Sequence, residues 1–313
     1  MTSARIASAW EAAFSSFDHW SAIVRWDGEE LFARDPRGLY SSASMIKTFL
    51  AVLLCEDLAQ GRCRADDHVR VCARHLAEGD GVIRLLRLPR TFRLDELVTL
   101  MLSVSDNTAT NSLIDRLGGV NAINARLVVA GLRSRLFAPV GSGDSHLAEL
   151  SQIPSSRPSQ RGIGQIDAFE HAQAVDRLLE VPMFADALFG QRDRLSLARH
   201  LCEEALFAHK TGTAYGTRHD GGVLCVDGHR LSVTCLTDGG PADEYADHPA
   251  CVAMGDAMRE TMRILGLDGQ AHAAGASQAE LCQLFGYTMP PAPKLGDMGD
   301  RLRTIMEALP PLL

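Results

Sequence analysis

The chain has 313 residues, 46% hydrophobic and 22% charged, the balance of an ordinary globular protein. This excludes a disordered chain, a coiled coil and a low-complexity scaffold, and at roughly 150 residues per unit the length allows about two folding units. A formal net charge of −8 argues against nucleic-acid binding through a broadly basic face.

The first elements read as helix, strand, turn, strand. Ile6, Ala9, Trp10, Ala13, Phe14 and Phe17 follow the spacing of a helix with one buried face. Ala22–Trp26 reads as a strand, Asp27-Gly28 as a tight turn and Glu30–Arg34 as the returning strand. Ser44 to Gln60 is the next helix, stopped by Gly61. Its apolar residues fall on all sides, so it is expected to run through the interior. A helical region follows, with helices expected at Leu94–Leu102, Thr108–Leu117, Val120–Ala130 and Ala168–Leu179 and little strand. Pro154–Gly164 reads as an exposed loop. Strand patterns return after His209, at Gly221–Asp227 and Arg230–Thr237, joined by the turn Asp227-Gly228, and a final helix spans Ala250–Leu265. Arg301–Leu309 reads as a short helix stopped by Pro310 and Pro311.

The expected fold class is therefore α/β (α+β), a sheet made from both ends of the chain with a helical unit inserted between. Its parts are a discontinuous α/β subdomain (1–43 and 205–266), a mainly helical subdomain (44–204) and a C-terminal extension (267–313).

The longest apolar run, Phe49 to Cys55, is far short of the roughly 18 residues of a membrane span. Met1 to Trp10 has Arg5 but no apolar core behind it, unlike a secretory leader, so a cytoplasmic protein with no membrane partner is expected. The eight cysteines, at 55, 63, 72, 202, 225, 235, 251 and 282, form no Cys-x-x-Cys pair and are expected to be mostly buried, reduced thiols. Cys63, His68, Cys72 and His75 lie close in sequence, but zinc motifs pair their ligands more tightly. No metal and no cofactor is expected.

Three short motifs occur in order: Ser44-Met45-Ile46-Lys47, Ser105-Asp106-Asn107 and Lys210-Thr211-Gly212. Each alone is weak; the ordered set is specific. A serine hydroxyl needs a base to become a nucleophile. Three residues apart on a helix places Ser44 and Lys47 on one face, and the helix amino terminus favours negative charge developing at Ser44. Burial and a second cation, Lys210, should lower the pKa of Lys47 enough for it to serve as base.

On these motifs the chain resembles the class A β-lactamase and penicillin-binding-protein superfamily of active-site serine enzymes, from about Ala22 to Leu265. The stretches Val104–Asn111, His209–Gly212 and Arg218–Gly222 extend the likeness. The resemblance implies a β-lactamase/transpeptidase-like fold, an antiparallel sheet flanked by helices with an all-α insert. It implies that Ser105 passes a proton to the leaving nitrogen and that Asn107 binds the substrate's amide side chain. Lys210 would supply positive potential, with Thr211 and Thr213 bonding a substrate carboxylate beside Gly212. The backbone N–H groups of Ser44 and Thr213 would form the oxyanion hole. Arg218 is a candidate carboxylate-binding arginine.

One departure stands out. The Glu-x-x-Leu-Asn motif, whose glutamate activates the deacylating water in class A enzymes, does not occur in this chain. Asp144, Glu149, Asp167 and Glu170 are the carboxylates between Phe137 and Glu170, and Glu149 is the best placed of them as deacylation base, though no Asn follows it at the right distance. The expected activity is a serine hydrolase acting on a small molecule with an acyl or lactam carbonyl. The alternatives are an acyltransferase or peptidase-like enzyme using the same acyl-enzyme, and a non-catalytic binding protein. Residues 267–313 could carry an oligomer contact.

Overall fold

The computed structural model describes residues 1–141, 162–240 and 247–267. Glu149, most of the 154–164 loop and the 301–309 segment fall outside these residues, and so does any oligomer contact through the C-terminal extension.

Helix α1 (Thr2–Ala13) leads into β1 (Trp20–Trp26) and β2 (Glu29–Arg34). The turn between the strands places Asp27 and Gly28 at positive φ, the geometry that matches strand twist in a two-residue hairpin. After the short strand β3 (Tyr40–Ser41) a 3-10 turn, Ala43–Met45, opens directly into α2 (Ile46–Ala59). Ser44 thus lies in that turn, just ahead of the α-helix expected to contain it. Ile46 to Cys55 are all buried, which is why the apolar residues fall on every side.

Beyond α2 come β4 (His68–Val71), β5 (Arg90–Arg93), α3 (Leu94–Ser103), α4 (Asn107–Arg116), α5 (Gly119–Val129), β6 (Arg135–Leu136) and β7 (Gly164–Ile166). They are followed by α6 (Ala168–Leu178) and α7 (Pro182–Phe189). The chain closes with β8 (Leu206–Ala214), β9 (Thr217–Val226), β10 (His229–Thr237) and α8 (Pro249–Leu265).

The main sheet has the order β2-β1-β10-β9-β8 and is antiparallel throughout. The first and last strands of the chain meet where β1 pairs with β10, from Trp20 opposite Thr237 to Trp26 opposite Leu231. There are also two small sheets, β3-β7-β6 and β4-β5, and strands β4 to β7 lie in the part expected to be mainly helical.

One face of the main sheet is covered by α1 and α8. Trp10 stacks on Phe14 and Trp20 there, and its indole donates to Thr261 Oγ1 on α8 at 3.0 Å. Ala22, Val24, Leu231, Val233 and Cys235 alternate into the same core, against Met254 and Met258. On the opposite face α6 packs on β9 and β10. Gly221 is required at that contact, since a Cβ would lie 2.6 Å from Thr234 Oγ1 and 2.8 Å from His171 Nδ1.

His171 ties three elements together. Its Nε2 shares a hydrogen bond with Thr48 Oγ1 on α2, and its Nδ1 with Thr234 Oγ1 on β10, both at 3.2 Å. Burial, reinforced by the charges of His219 and Lys210, pushes its pKa down to about 3. The unfolded chain therefore binds a proton that the folded one refuses. This contribution to stability is intact above about pH 6.5 and is lost as pH falls toward 3, at up to about 1.4 kcal/mol per unit. His171→Gln keeps a donor and an acceptor but cannot titrate. Urea midpoints at about pH 7 and about pH 4.5 should differ less in that variant than in the wild type; equal differences would rule out this role.

Candidate active site

The amino end of α2, the α3–α4 junction and strand β8 converge on one cavity. Ser44, Asp80, Ser103, Val104, Ser105, Gln191, Arg192, Asp193, Arg194, Leu195, Thr211 and Thr213 line it, around a volume of about 520 Å3. Gly212 sits where β8 crosses the turn carrying Ser44. A Cβ there would come 2.9 Å from Met45 Cγ and 3.3 Å from Ala43 Cβ, so the motif's glycine lets the strand close on the serine.

Lys47 is fully buried. Its Nζ lies 3.1 Å from Ser44 Oγ, 2.9 Å from Ser105 Oγ, 2.6 Å from Ser105 O and 2.7 Å from Asn107 Oδ1. The last two are carbonyl oxygens, which only accept. A neutral amine has two N–H groups to give them, and its one lone pair is then left to accept from a hydroxyl. Burial is the main force pulling the Lys47 pKa well below the usual lysine range, and the nearby charge of Lys210 adds to it. Asp80 and Asp106 pull the other way.

Lys210 is also fully buried. Its Nζ donates to Ser105 Oγ at 3.2 Å and to Thr211 O at 2.7 Å. Burial lowers its pKa to about 8, against the attraction of Asp193, Asp80 and Asp220. Ser105 Oγ thus sits between two amines.

Two backbone distortions aim the hydroxyl groups. Ala43, just before Ser44, has φ 41°, and Ser105 has φ 55°. Such left-handed conformations cost about 1–2 kcal/mol in a non-glycine residue and persist where surrounding bonds hold them. Asp106 supplies those bonds at Ser105. It is the N-cap of α4, accepting from Ala109 N at 2.8 Å with one carboxylate oxygen. The other oxygen accepts from Val82 N at 2.7 Å and Ile83 N at 2.8 Å. Asn107 extends the clamp: its Nδ2 donates to Glu78 O and its backbone N–H to Asp80 O.

The residues singled out in the sequence separate into groups. Ser44, Lys47, Ser105, Asn107 and Lys210 are brought together by direct hydrogen bonds, and Thr211 and Thr213 line the cavity. Arg218 is not among the lining residues. Its guanidinium donates to Ala214 O and Thr217 O, bracing the β8–β9 turn. Asp167 and Glu170 are committed elsewhere: Asp167 caps α6, and Glu170 accepts from Arg133 N, Ser134 N and Ser134 Oγ.

Asp80 and the 191–195 segment also line the cavity. No short motif marks them, because spatially adjacent loops bring them there. Among the described residues no group of three or more His, Cys, Asp or Glu side chains is arranged to hold a metal. The described cysteines are free thiols, with Cys72 and Cys202 half-buried and the others buried. No described helix is long and apolar enough to cross a membrane.

Replacing Asp106 by Ala strips the acceptor from three backbone N–H groups. The expected loss is about 2–3 kcal/mol of unfolding free energy by urea titration. Asp106→Asn, with one carbonyl oxygen left, should recover part of it; no loss in the Ala variant would remove the clamp from the account.

Comparison with known proteins identifies the architecture. A family profile described as "Beta-lactamase enzyme family" matches residues 6–262. A "Beta-lactamase regulatory protein BlaB" from Streptomyces cacaoi is 29% identical over 280 residues, covering 74% of this chain and 89% of that protein. The structure of a beta-lactamase from Sphaerobacter thermophilus superposes with a TM-score of 0.69 at 26% identity, over 84% of this chain and 97% of that one. A class A beta-lactamase from Bacteroides cellulosilyticus superposes at 0.68 with 15% identity, over 86% and 99%.

Proposed function

Since the chain belongs to the beta-lactamase enzyme family, we propose that it is an active-site-serine enzyme that forms an acyl-enzyme on Ser44 from an amide, β-lactam or ester carbonyl. The observation that carries this reading is the buried Lys47 amine, 3.1 Å from Ser44 Oγ, with its other neighbours at hydrogen-bonding distance.

On this reading neutral Lys47 takes the Ser44 proton as Oγ attacks the carbonyl carbon. The carbonyl oxygen becomes an oxyanion facing the N–H groups of Ser44 and Thr213. Collapse breaks the bond from carbon to the leaving atom. Ser105 gives its proton to a leaving nitrogen, and the proton held on Lys47 replaces it across the 2.9 Å contact. The serine ester remains, and both lysines end in their starting states. Lys210 adds positive potential, and Thr211 and Thr213 offer hydroxyls to a substrate carboxylate.

Water attacking the ester completes turnover in a hydrolase. The missing Glu-x-x-Leu-Asn sequence supports slow deacylation, with Glu149 as the remaining sequence-based candidate for the base. An amine or alcohol acceptor would make the protein an acyltransferase. A second reading takes support from the Streptomyces relative, which is named as regulatory: a persistent acylated state would then be a signal and not a turnover intermediate. A binding role without chemistry is less favoured, because it gives no reason to bury two amines around one serine hydroxyl.

Mass spectrometry after incubation with a chromogenic cephalosporin tests the proposal. The expected result is an adduct on Ser44 that is absent from Ser44→Ala. Decay of that adduct within seconds supports hydrolysis; persistence until an amine is added supports transfer, and persistence regardless supports signalling. No adduct with any lactam or activated ester would refute acylation.

A further inference from the structure

Asp80 is the acidic side chain of the cavity that takes no direct part in the proposed chemistry and whose chain neighbours are both glycines. It lies between Gly79 and Gly81, at φ 84° and 109°, and its side chain is exposed. No hydrogen bond or ion pair to its carboxylate occurs among the described residues. Its charge nevertheless reaches both Lys47 and Lys210.

The backbone that carries Asp80 is held from behind. Asp80 O accepts from Asn107 N at 3.0 Å, and Glu78 O accepts from Asn107 Nδ2 at 2.7 Å. Val82 and Ile83 are clamped to Asp106. A Cβ on Gly79 would meet Asn107 Nδ2 at 2.9 Å, and one on Gly81 would meet Asp106 Cγ at 2.3 Å. The loop is thus pressed onto the Ser105–Asn107 segment, and Asp80 is registered against it.

The other charged lining residues are placed differently. Asp193 Oδ1 accepts from Leu195 N at 3.1 Å, and its chain neighbours are Arg192 and Arg194. Arg194 donates to Leu201 O and Cys202 O. Among the lining residues the two arginines thus flank Asp193 on the 192–194 segment, while Asp80, next to Asn107 through its backbone, carries a carboxylate with no direct partner.

We propose that Asp80 is a specificity-determining residue that selects acyl groups carrying a protonated amine. The proposal rests on the reading above, in which Ser44 attacks the carbonyl, with the acyl side chain beside Asn107 as the resemblance implies. An ammonium on that side chain would gain a charge-assisted hydrogen bond; a carboxylate at the same place would be repelled.

Three penicillins test this with one skeleton. Ampicillin carries an ammonium on the phenylacetyl side chain, benzylpenicillin a hydrogen and carbenicillin a carboxylate. Dissociation constants measured by calorimetry on Ser44→Ala read recognition without acylation, and adduct formation on the wild type gives the acylation rates. The expected order is ampicillin, benzylpenicillin, carbenicillin, with about a tenfold preference for the first over the second. Asp80→Asn should bring that ratio to about one in both measurements. An unchanged ratio overturns the proposal, as does an equal loss for all three compounds, which would assign Asp80 to the shared chemistry. If the charge order appears in binding while no adduct forms, recognition by Asp80 stands and acylation of Ser44 falls. Equal binding of all three, or none, removes the role of Asp80 whatever the adducts show.

Discussion

Burying two lysine amines around one serine hydroxyl is the constraint on which the rest of this structure depends. An isolated ammonium in such a place would be very costly, and the protein meets the cost in two ways. Lys47 is surrounded by oxygens and pulled toward its neutral form. Lys210, with its pKa near 8, keeps more of its charge because Asp193, Asp80 and Asp220 favour it. The difference between the two environments divides base from cation. It also explains why the supporting carboxylates stand off from the amines: a carboxylate in contact with Lys47 would raise its pKa and remove the base.

Around that pair the fold works as a positioning device. The turn before α2 and the junction between α3 and α4 each contain a left-handed residue, Ala43 and Ser105. Neither residue type favours that conformation. Asp106 holds the second by gathering three backbone N–H groups, and Gly212 allows β8 to press on the first. The α2 helix is fastened in turn by His171, one residue position away from Lys47 through Thr48. Lys47, Lys210 and His171 are thus each met by a specific partner on a different element.

Much of this was legible in the sequence, for identifiable reasons. The all-round apolarity of Ile46–Cys55 announced a buried helix, and the Asp27-Gly28 and Asp227-Gly228 turns placed the hairpins. The ordered motifs named five side chains that meet by hydrogen bonds. Strand β8 was legible only as a motif, because its residues from Phe207 to Gly212 are buried on both faces, which erases the alternation of a half-buried strand. The polar start of β9, Thr217–Asp220, is hidden by the same burial. The short strands β4 to β7 have too few residues for a period to show. Arg218 looked like a ligand for a carboxylate because a guanidinium suits one; the turn carbonyls of Ala214 and Thr217 take its Nη1. Asp80 left no sequence signal, because its importance lies in what surrounds it in space.

The burial of α2 also bears on which parts of the molecule open first. Local unfolding begins where few apolar groups are buried. In the segment from Leu76 to Leu86 the side chains of Leu76, Val82, Leu85 and Leu86 are exposed, so apart from buried Ala77 and Ile83 it is held by its hydrogen bonds to Asp106 and Asn107 more than by apolar burial. Residues Ile46 to Leu54 are almost completely enclosed, the condition under which opening a segment costs most. The wall of the cleft is therefore secured by polar contacts, and the helix that carries Lys47 by apolar burial.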